Sequence, residues 1–524
     1  MKKIRKIKPV FISVGIFLAV ALIVILVLVS LNGNNNGSVV LTVAVIRDNN
    51  VKDYSTNYYT KWLEQKTGYD IRFEYITSGY EEEYIFAMLT ADTGSIDMIM
   101  LPSEQAVLSE ERLSTYIQKG YFKDLSEYLD GTTNLESVTD EYGLAGGISD
   151  NNAVYFFPNI NTARTVHNMQ VMWINHGWLN ELGLSVPRTA EELKNVLVAF
   201  KEQDPNGNGI ADELPLISCE QEYSTQSYNF ILNGFTKNNP FSLRTYTDNN
   251  GKIRLSPIQN EFRNGLSFCN FLYENKLIEQ SCFGYTERQL MELVNSDNDV
   301  VGAFTSGSVS DVIYSNCSDV LARYTQISPL ITAEGEQNAV WVSADVNIGG
   351  FIPENSQHPD EAFKLAELML SEEASLIAAF GEENTDWKYS DNGDLSTYGT
   401  SAVITTINYL NGTIQNKNYN RIGPYVLDEK YANGVTWNGN NSLVEYIDAR
   451  AVRAYEEYYF FVEEAFHRET DNENCIEARE WLDGRINDFI TGEKDINADY
   501  EWDLFTEEYS NRLDGIGVNS GDSQ

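Results

Sequence analysis

The chain has 524 residues, which is too long for one compact core and predicts at least two lobes. Its 77 acidic and 37 basic residues give a formal net charge of -40. Nucleic-acid binding is excluded as a function class, because phosphate contacts need clustered Lys and Arg.

The N-terminal segment, residues 1–38, predicts a signal anchor followed by a short tether. Five basic residues precede an apolar run at 10–29. This run is long enough to cross a bilayer, which needs about 20 residues, whereas the apolar part of a signal peptide has roughly 7–15. The first cysteine is Cys219, so no lipid-attachment cysteine follows the run. We expect everything after residue 38 to lie outside the cell, and a cleaved signal peptide remains the alternative.

The next part of the chain alternates between β-branched runs and helical segments. Strands are predicted at 39–46, 70–76 and 96–101, with a helix in each interval, and Gly68 is a typical helix stop. This order predicts a parallel sheet in an α/β lobe. Ligands of such sheets bind beyond the carboxyl ends of the strands. The candidate ligand-binding residues in the loops that follow the first and third strands are Arg47, Ser103 and Glu104.

A second α/β block follows. Residues 171–184 predict a strand that runs into a helix, and Thr189 with Glu192 predicts a capping box at the start of the next helix. Further strands are predicted at 299–307 and 347–355. Helices are predicted at 358–375, 442–467 and 475–492, the last of which stops at Gly492.

Several stretches together resemble one family. They include "YTKWLEQKTGYDIRFEYI", "VMWINHGWLNELGLSVPRTAEELKNVLVAFKEQDPNGNGIADELPL", "GGFIPENSQHPDEAFKLAELMLSEE", "FGEENTDWKY" and "FITGEKDINADYEWDLF". In this order they resemble the extracellular solute-binding proteins of family 1, above all the long LipO-like and alginate-binding-protein-like members. The resemblance extends over nearly the whole chain after Leu41, so it is far more specific than any single motif.

The resemblance implies an α/β, two-lobe periplasmic-binding-protein-like fold of type 2. Lobe I would take 39–158 and about 345–390, and lobe II about 159–344 and about 391–524. It also implies a monomer that binds a carbohydrate, often an oligosaccharide, and hands it to the permease subunits of an ABC importer. An anchor at the cell membrane would keep the protein on the extracellular face.

The loop "DPNGNGIADE" is rich in oxygen-bearing side chains. An EF-hand loop closes with a glutamate at its twelfth position, which here is Pro215. The resemblance to alginate-binding proteins nevertheless implies a structural calcium ion. Its ligands would be the side chains of Asp204, Asn206, Asn208, Asp212 and Glu213, together with the backbone carbonyl of Ile210. The alternative is a turn in which Asn and Asp side chains bind their own backbone.

Aromatic residues are candidates for the cleft between the lobes, because sugar rings have apolar faces. Tyr155 and Phe157 lie where the chain is expected to cross between the lobes, and Trp341 lies just before the expected second crossing. Trp437 lies in a loop rich in Gly and Asn.

An enzyme is the rival class, and it has no sequence motif in its favour. HExxH, GxSxG, Walker A and GxGxxG patterns are missing, and the 4 His residues show no metal-ligand spacing. We therefore predict a binding protein and not an enzyme. Two alternatives stay open: a solute sensor for a membrane kinase and, with less support, a glycan-active enzyme.

Overall fold

The computed structural model describes most of the chain after the N-terminal segment. The described residues are 38–77, 79–91, 94–102, 107–142, 153–164, 170–219, 223–248, 250, 252–314, 317–340, 346–408, 410, 413–437, 442–455, 458–460 and 473–515. The predicted signal anchor at 1–38 lies outside them except for its last residue. Within them, no helix combines the length and apolarity that crossing a membrane would require.

Strands and helices alternate along much of the described chain. The strands are β1 (Val40–Ile46), β2 (Asp70–Ile76), β3 (Met98–Met100), β4 (Phe157–Asn161), β5 (Val171–Asn175), β6 (Thr245–Thr247), β7 (Ile253–Leu255), β8 (Ala303–Ser306), β9 (Tyr324–Ile327), β10 (Ala339–Val340), β11 (Val346–Phe351), β12 (Trp387–Tyr389), β13 (Ile404–Thr406), β14 (Tyr425–Leu427), β15 (Val435–Trp437) and β16 (Tyr459–Phe460). The helices are α1 (Tyr58–Thr67), α2 (Glu81–Thr90), α3 (Glu110–Gln118), α4 (Asn134–Tyr142), α5 (His176–Glu181), α6 (Ala190–Glu202), α7 (Ser227–Leu232), α8 (Asn260–Glu274), α9 (Glu287–Val294), α10 (Ser318–Leu321), α11 (Pro359–Met369), α12 (Glu372–Phe380), α13 (Glu429–Ala432), α14 (Ser442–Tyr455), α15 (Glu473–Thr491) and α16 (Asp499–Gly515).

The first core surrounds a sheet with the strand order β14-β4-β11-β3-β1-β2. β1 is parallel to β2 and β3, as the sequence predicts, and β11 is antiparallel to both of its neighbours. Side chains alternate across the central strands: Val43 and Met98 face one apolar cluster, whereas Ala44 and Ile99 face the other. Helices α1, α11 and α12 cover the first face, and α2 and α3 cover the second.

The second core is built on the antiparallel sheet β8-β5-β9. Its cluster runs from Val171 to Ala339 and resumes at Ile447 in α14, to which α15 and α16 add their apolar faces. The chain therefore leaves the first core after β4 and returns with β11. It enters the second core again with α14.

The local signals in the sequence explain most element ends. α1 ends at Gly68 and α15 ends before Gly492, and both glycines have positive φ, 76° and 83°. The Thr189 hydroxyl caps α6 by accepting from the Glu192 amide. The capping box is incomplete, however, because the Glu192 carboxylate accepts from the backbone of Arg188 instead of Thr189.

Two predicted helices differ in the structure. The helix predicted at 358–375 is two helices, α11 and α12, because the Ser371 hydroxyl caps a new start by accepting from the Ala374 amide. The helix predicted at 442–467 ends at Tyr455, and Tyr459–Phe460 instead pairs with β10 as a strand.

The predicted division into lobes stays a prediction, and the cores suggest a change in it. Trp387, Ile404, Tyr425 and Val435 belong to the first apolar core. We therefore propose that the segment from 391 to 437 belongs to lobe I.

Gly350 provides a test of the first sheet. A Cβ at this position would lie 2.6 Å from the Ile99 carbonyl oxygen, and a backbone atom in the middle of a sheet cannot move aside cheaply. We expect Gly350→Ala to lower the free energy of unfolding by about 1–3 kcal/mol, measured by urea denaturation. Gly284→Ala is the matched control, since nothing lies within 4 Å of its added Cβ. Equal urea midpoints for the two variants would contradict the packing of β11 against β3.

Candidate functional site

A cavity of about 320 Å³ lies where the two cores meet. One wall comes from the second core: the turn at 308–311 and Asp448 of α14. The other wall comes from the first core, through β14 and the small sheet β12-β13-β15. The residues that line this wall include Asn161, Phe380, Tyr398, Thr406, Asn408, Leu410, Arg421, Tyr425, Leu427, Val435 and Trp437.

Two carboxylates hold the wall of the second core in shape. Asp448 accepts from the Ser308 hydroxyl at 2.5 Å and from the Val309 amide at 2.9 Å. Asp311 accepts from the Ser308 amide at 2.7 Å. These bonds tie the turn to α14, so the polar side chains of this wall have defined positions.

Arg421 enters the cavity from a loop with an uncommon backbone conformation. Asn420 and Arg421 have φ values of 50° and 67°, in the left-handed region that side chains rarely adopt. Asn159 stabilises this loop, because its amide donates to the carbonyl oxygens of Arg421 at 2.9 Å and of Gly423 at 2.7 Å. Strain held by surrounding structure in this way is typical of functional sites.

Aromatic side chains complete the cavity. Trp437, one of the candidate ligand-binding residues, is half-buried and lines it. Tyr398 lies at the junction of the cores: its carbonyl oxygen accepts from Arg453 of α14 at 3.3 Å, and the Arg164 guanidinium lies 5.5 Å from its ring centroid. The cavity thus offers ring faces beside hydroxyl, amide and charged groups.

The other predicted ligand-binding residues lie elsewhere or outside the described residues. Phe157 is fully buried in the first core, where its ring packs 5.8 Å from that of Phe363, so its selection as a cleft residue is corrected. Arg47 is exposed, with its guanidinium 5.7 Å from the Tyr75 ring centroid, and Tyr155 packs on the second face of the sheet. Neither borders the cavity. Ser103, Glu104 and Trp341 lie outside the described residues.

Most of the residues that line the cavity have no recognisable signal in the sequence. Thr406 and Asn408 belong to a strand of three residues and the turn after it, too short to show a hydrophobic period. Arg421 lies in an irregular loop, and Asp448 is a buried carboxylate on a helix whose apolar stripe gives no signal for a buried polar residue. The "ITT" and "VTW" segments, rich in β-branched residues, were the available signal.

The oxygen-rich loop forms a tight turn closed by its own side chains. Asp204 has a φ of 47°, and its carboxylate accepts from the amides of Asn208 at 3.1 Å and Gly209 at 3.0 Å. The Asn208 side chain donates to the Asp212 carboxylate at 3.0 Å, and Asn206 does so at 3.3 Å. Ile210 is exposed. These bonds are the kind expected of a turn rich in Asn and Asp.

Glu213 is the one member of the set that the turn leaves unsatisfied. Its Oε1 is buried and has no hydrogen-bond partner among the described residues. Burial, together with the nearby carboxylates of Asp212 and Asp204, raises the pKa of Glu213 above its ordinary value. A buried carboxylate oxygen without a partner, near two other carboxylates, is an arrangement that a cation would stabilise. No group of three or more His, Cys, Asp or Glu side chains in the described part of the chain is arranged to hold a metal by itself, so the two amides and the carbonyl would have to take part.

Comparisons with known proteins add a family match over most of the chain. The model of the family described as bacterial extracellular solute-binding protein matches residues 49–376. The fructooligosaccharide ABC transporter substrate-binding protein FusA of Streptococcus pneumoniae serotype 4 is 28% identical over 242 residues, which are 44% of this chain and 43% of FusA. Lipoprotein LipO of Bacillus subtilis strain 168 is 28% identical over 229 residues, 42% of this chain and 41% of LipO. The chain thus spans less than half the length of the curated relatives it matches.

Solved structures resemble the fold over nearly its whole length. FusA from S. pneumoniae in complex with kestose has a TM-score of 0.70 at 20% identity, over 91% of this chain and 97% of that one. The EF-hand mutant of FusA in complex with fructo-nystose has a TM-score of 0.69 with the same identity and coverage. The alginate-binding protein AlgQ2 without calcium ion has a TM-score of 0.61 at 16% identity, over 92% and 96%. These likenesses show a shared two-lobe α/β fold.

Proposed function

The chain belongs to the bacterial extracellular solute-binding protein family, and from that premise we propose that it is the substrate-binding component of an ABC importer. Its cargo would be a carbohydrate of oligosaccharide size. The observation that carries this proposal is the cavity bordered by both cores, where Trp437, Tyr398 and Tyr425 lie beside hydroxyl and amide groups. Sugar rings have apolar faces and hydroxyl edges, and this combination of side chains matches both. FusA and its complex with kestose support the proposal.

The protein would bind its cargo and leave it chemically unchanged. A ligand that contacts Asp448 on one wall and Trp437 on the other favours the arrangement in which the two walls are close. The permease subunits would then recognise this liganded arrangement of a monomer. Arg47 and Tyr155 remain proposed contacts for a longer ligand that extends beyond the cavity.

The proposed function is tested by titrating a panel of neutral and acidic oligosaccharides into the protein and measuring binding by calorimetry. We expect at least one member to bind and to be recovered intact by chromatography. Trp437→Ala should weaken that binding by about 1–3 kcal/mol, because a large apolar face is lost from the contact. Trp62→Ala is the control, since Trp62 is also half-buried but lies outside the cavity. If the protein instead hydrolyses a glycan, and one carboxylate substitution abolishes this activity, the protein is an enzyme. If no member of the panel binds, a carbohydrate cargo is rejected.

We further propose that the loop from Asp204 to Glu213 binds a structural calcium ion. Calcium takes roughly 6–8 oxygen ligands in flexible geometry. The carboxylates of Asp204, Asp212 and Glu213, the amide oxygens of Asn206 and Asn208 and the Ile210 carbonyl would supply them. The orphaned Glu213 oxygen supports the proposal, as does the EF-hand named for FusA. The ion would neutralise the crowded carboxylates and stabilise the connection between α6 and the strand-like segment after Pro215.

Thermal melting with and without calcium tests this site. An ion present at about 100 times its Kd stabilises the folded state by about 2.7 kcal/mol, so calcium should raise the Tm measured in chelator. Glu213→Gln should abolish that increase. The same variant should raise the Tm in chelator at neutral pH, because a carboxyl with a raised folded-state pKa destabilises the fold once it is ionised. A wild-type Tm that calcium leaves unchanged would refute the site.

For localisation, we propose that the apolar run at 10–29 anchors the protein on the outer face of the cell membrane. The full-length chain should then fractionate with membranes and keep its N-terminal residues, as determined by N-terminal sequencing. A mature N-terminus between Ser30 and Val39, with the protein in the medium, would show cleavage instead.

A further inference from the structure

Two neighbouring threonines of β13 have equally buried side chains but different hydrogen bonding. Thr405 and Thr406 are each 3% exposed. The Thr405 hydroxyl lies 2.8 Å from that of Ser390, with which it shares a hydrogen bond. Thr406 is one of the residues that line the cavity, and its buried hydroxyl has no hydrogen-bond partner among the described residues. A buried hydroxyl without a partner is unfavourable for folding, so its retention at a cavity wall points to a partner from outside the chain.

Thr406 lies beside an aromatic ring on the same face of the small sheet. β13 and β15 are parallel, and Thr406 is paired in register with Trp437. Paired residues of neighbouring strands have side chains on the same face. A ring that lies against the indole of Trp437 therefore has its edge near the Thr406 hydroxyl.

Asn408 adds a second polar group of defined orientation. Its side-chain nitrogen donates to the Thr385 carbonyl at 2.9 Å and to the Asp386 carboxylate at 3.1 Å. Both donors are thus used, and the amide oxygen is the remaining acceptor of this cavity-lining residue. Asp386 is itself buried and accepts from the Glu382 amide at 2.9 Å, so it acts as a positioning residue for Asn408.

We propose that Thr406, Asn408 and Trp437 form a subsite for one uncharged sugar ring. The ring packs against Trp437, while its hydroxyls bond to the Thr406 hydroxyl and donate to the Asn408 oxygen. An acceptor oxygen held in place by Asp386 disfavours a carboxylate at this point, so the subsite selects a neutral sugar over a uronic acid. This inference rests on the proposed carbohydrate-binding function and assigns the residues that read the ring.

The experiment compares Thr406→Val with Thr405→Val. Three neutral trisaccharides (kestose, maltotriose and cellotriose) and the acidic trigalacturonate are titrated into the full chain by calorimetry, and each variant is melted without sugar. Thr406→Val should bind the tightest neutral trisaccharide about three- to tenfold more weakly, which corresponds to one hydrogen bond. Its Tm should be unchanged or higher, since the lost hydroxyl had no partner. Thr405→Val should show the reverse: a lower Tm and unchanged affinity.

A double-mutant cycle tests the positioning role of Asp386. Asp386→Asn lets the Asn408 amide turn its nitrogen to the cavity, so it should weaken binding about as much as Asn408→Ala does. The double variant should lose no more affinity than either single variant, a coupling that a merely structural effect of Asp386 would not produce. Additive losses would overturn this role.

The outcomes separate the subsite from the function. Unchanged affinity of Thr406→Val, or weaker binding accompanied by a fall in Tm like that of Thr405→Val, overturns the subsite while the carrier function stands. Preference for trigalacturonate also overturns the subsite alone. If none of the four sugars binds to the unmodified protein, the subsite is rejected. If no member of a wider glycan panel binds either, the proposed carbohydrate-binding function is rejected as well.

Discussion

Close backbone contact at Gly349 and Gly350 is the constraint on which the rest of the structure depends. A side chain at Gly349 would meet the carbonyl oxygens of Pro158 and Gly423 at 2.9 Å, and one at Gly350 would meet that of Ile99 at 2.6 Å. These two glycines let β11 insert antiparallel between β3 and β4 and let the loop before β14 approach it. The same sheet thereby binds segments from four distant parts of the sequence. The excursion into the second core between β4 and β11 begins and ends at this sheet.

This arrangement places the cavity and determines its chemistry. Because β4 leads out of the sheet and β11 leads back, the second core lies next to the edge formed by β4 and β14. The loop before β14 carries Arg421 into the gap, while α14 brings Asp448 from the other side. Asn159 connects the core sheet to the cavity-lining loop, since it is a buried residue of β4 whose side chain donates to the carbonyl oxygen of Arg421. The residues that line the cavity and the folding core are therefore not separate parts of the molecule.

The sequence predicts the regular parts of this molecule better than the site. Strands β1 and β2, the stops at Gly68 and Gly492 and the parallel start of the first sheet follow from apolar periodicity and glycine chemistry, which are local. Thr406, Asn408 and Arg421 could not be predicted, because they lie on a strand of three residues or in turns, and only tertiary contacts bring them together. Phe157 shows the reverse error. An aromatic residue near a strand that crosses between the lobes is expected to line the cleft. Side chains of β4 alternate between the two faces of the sheet, however, and that of Phe157 points into the first core.

The order of strands in the first sheet also has a consequence for the time at which the protein can assemble. β1 and β14 lie in one sheet, but Tyr425 leaves the ribosome long after Ile46. At synthesis rates of roughly 5–20 residues per second, the delay is on the order of tens of seconds. Contacts between such distant segments also close slowly, because the intervening chain must give up its conformational freedom first. Until β14 is synthesised, β4 is an edge strand and the apolar faces around it remain exposed. The nascent chain is therefore incompletely folded during most of its synthesis, and in this form it can be bound by chaperones or pass through a narrow pore.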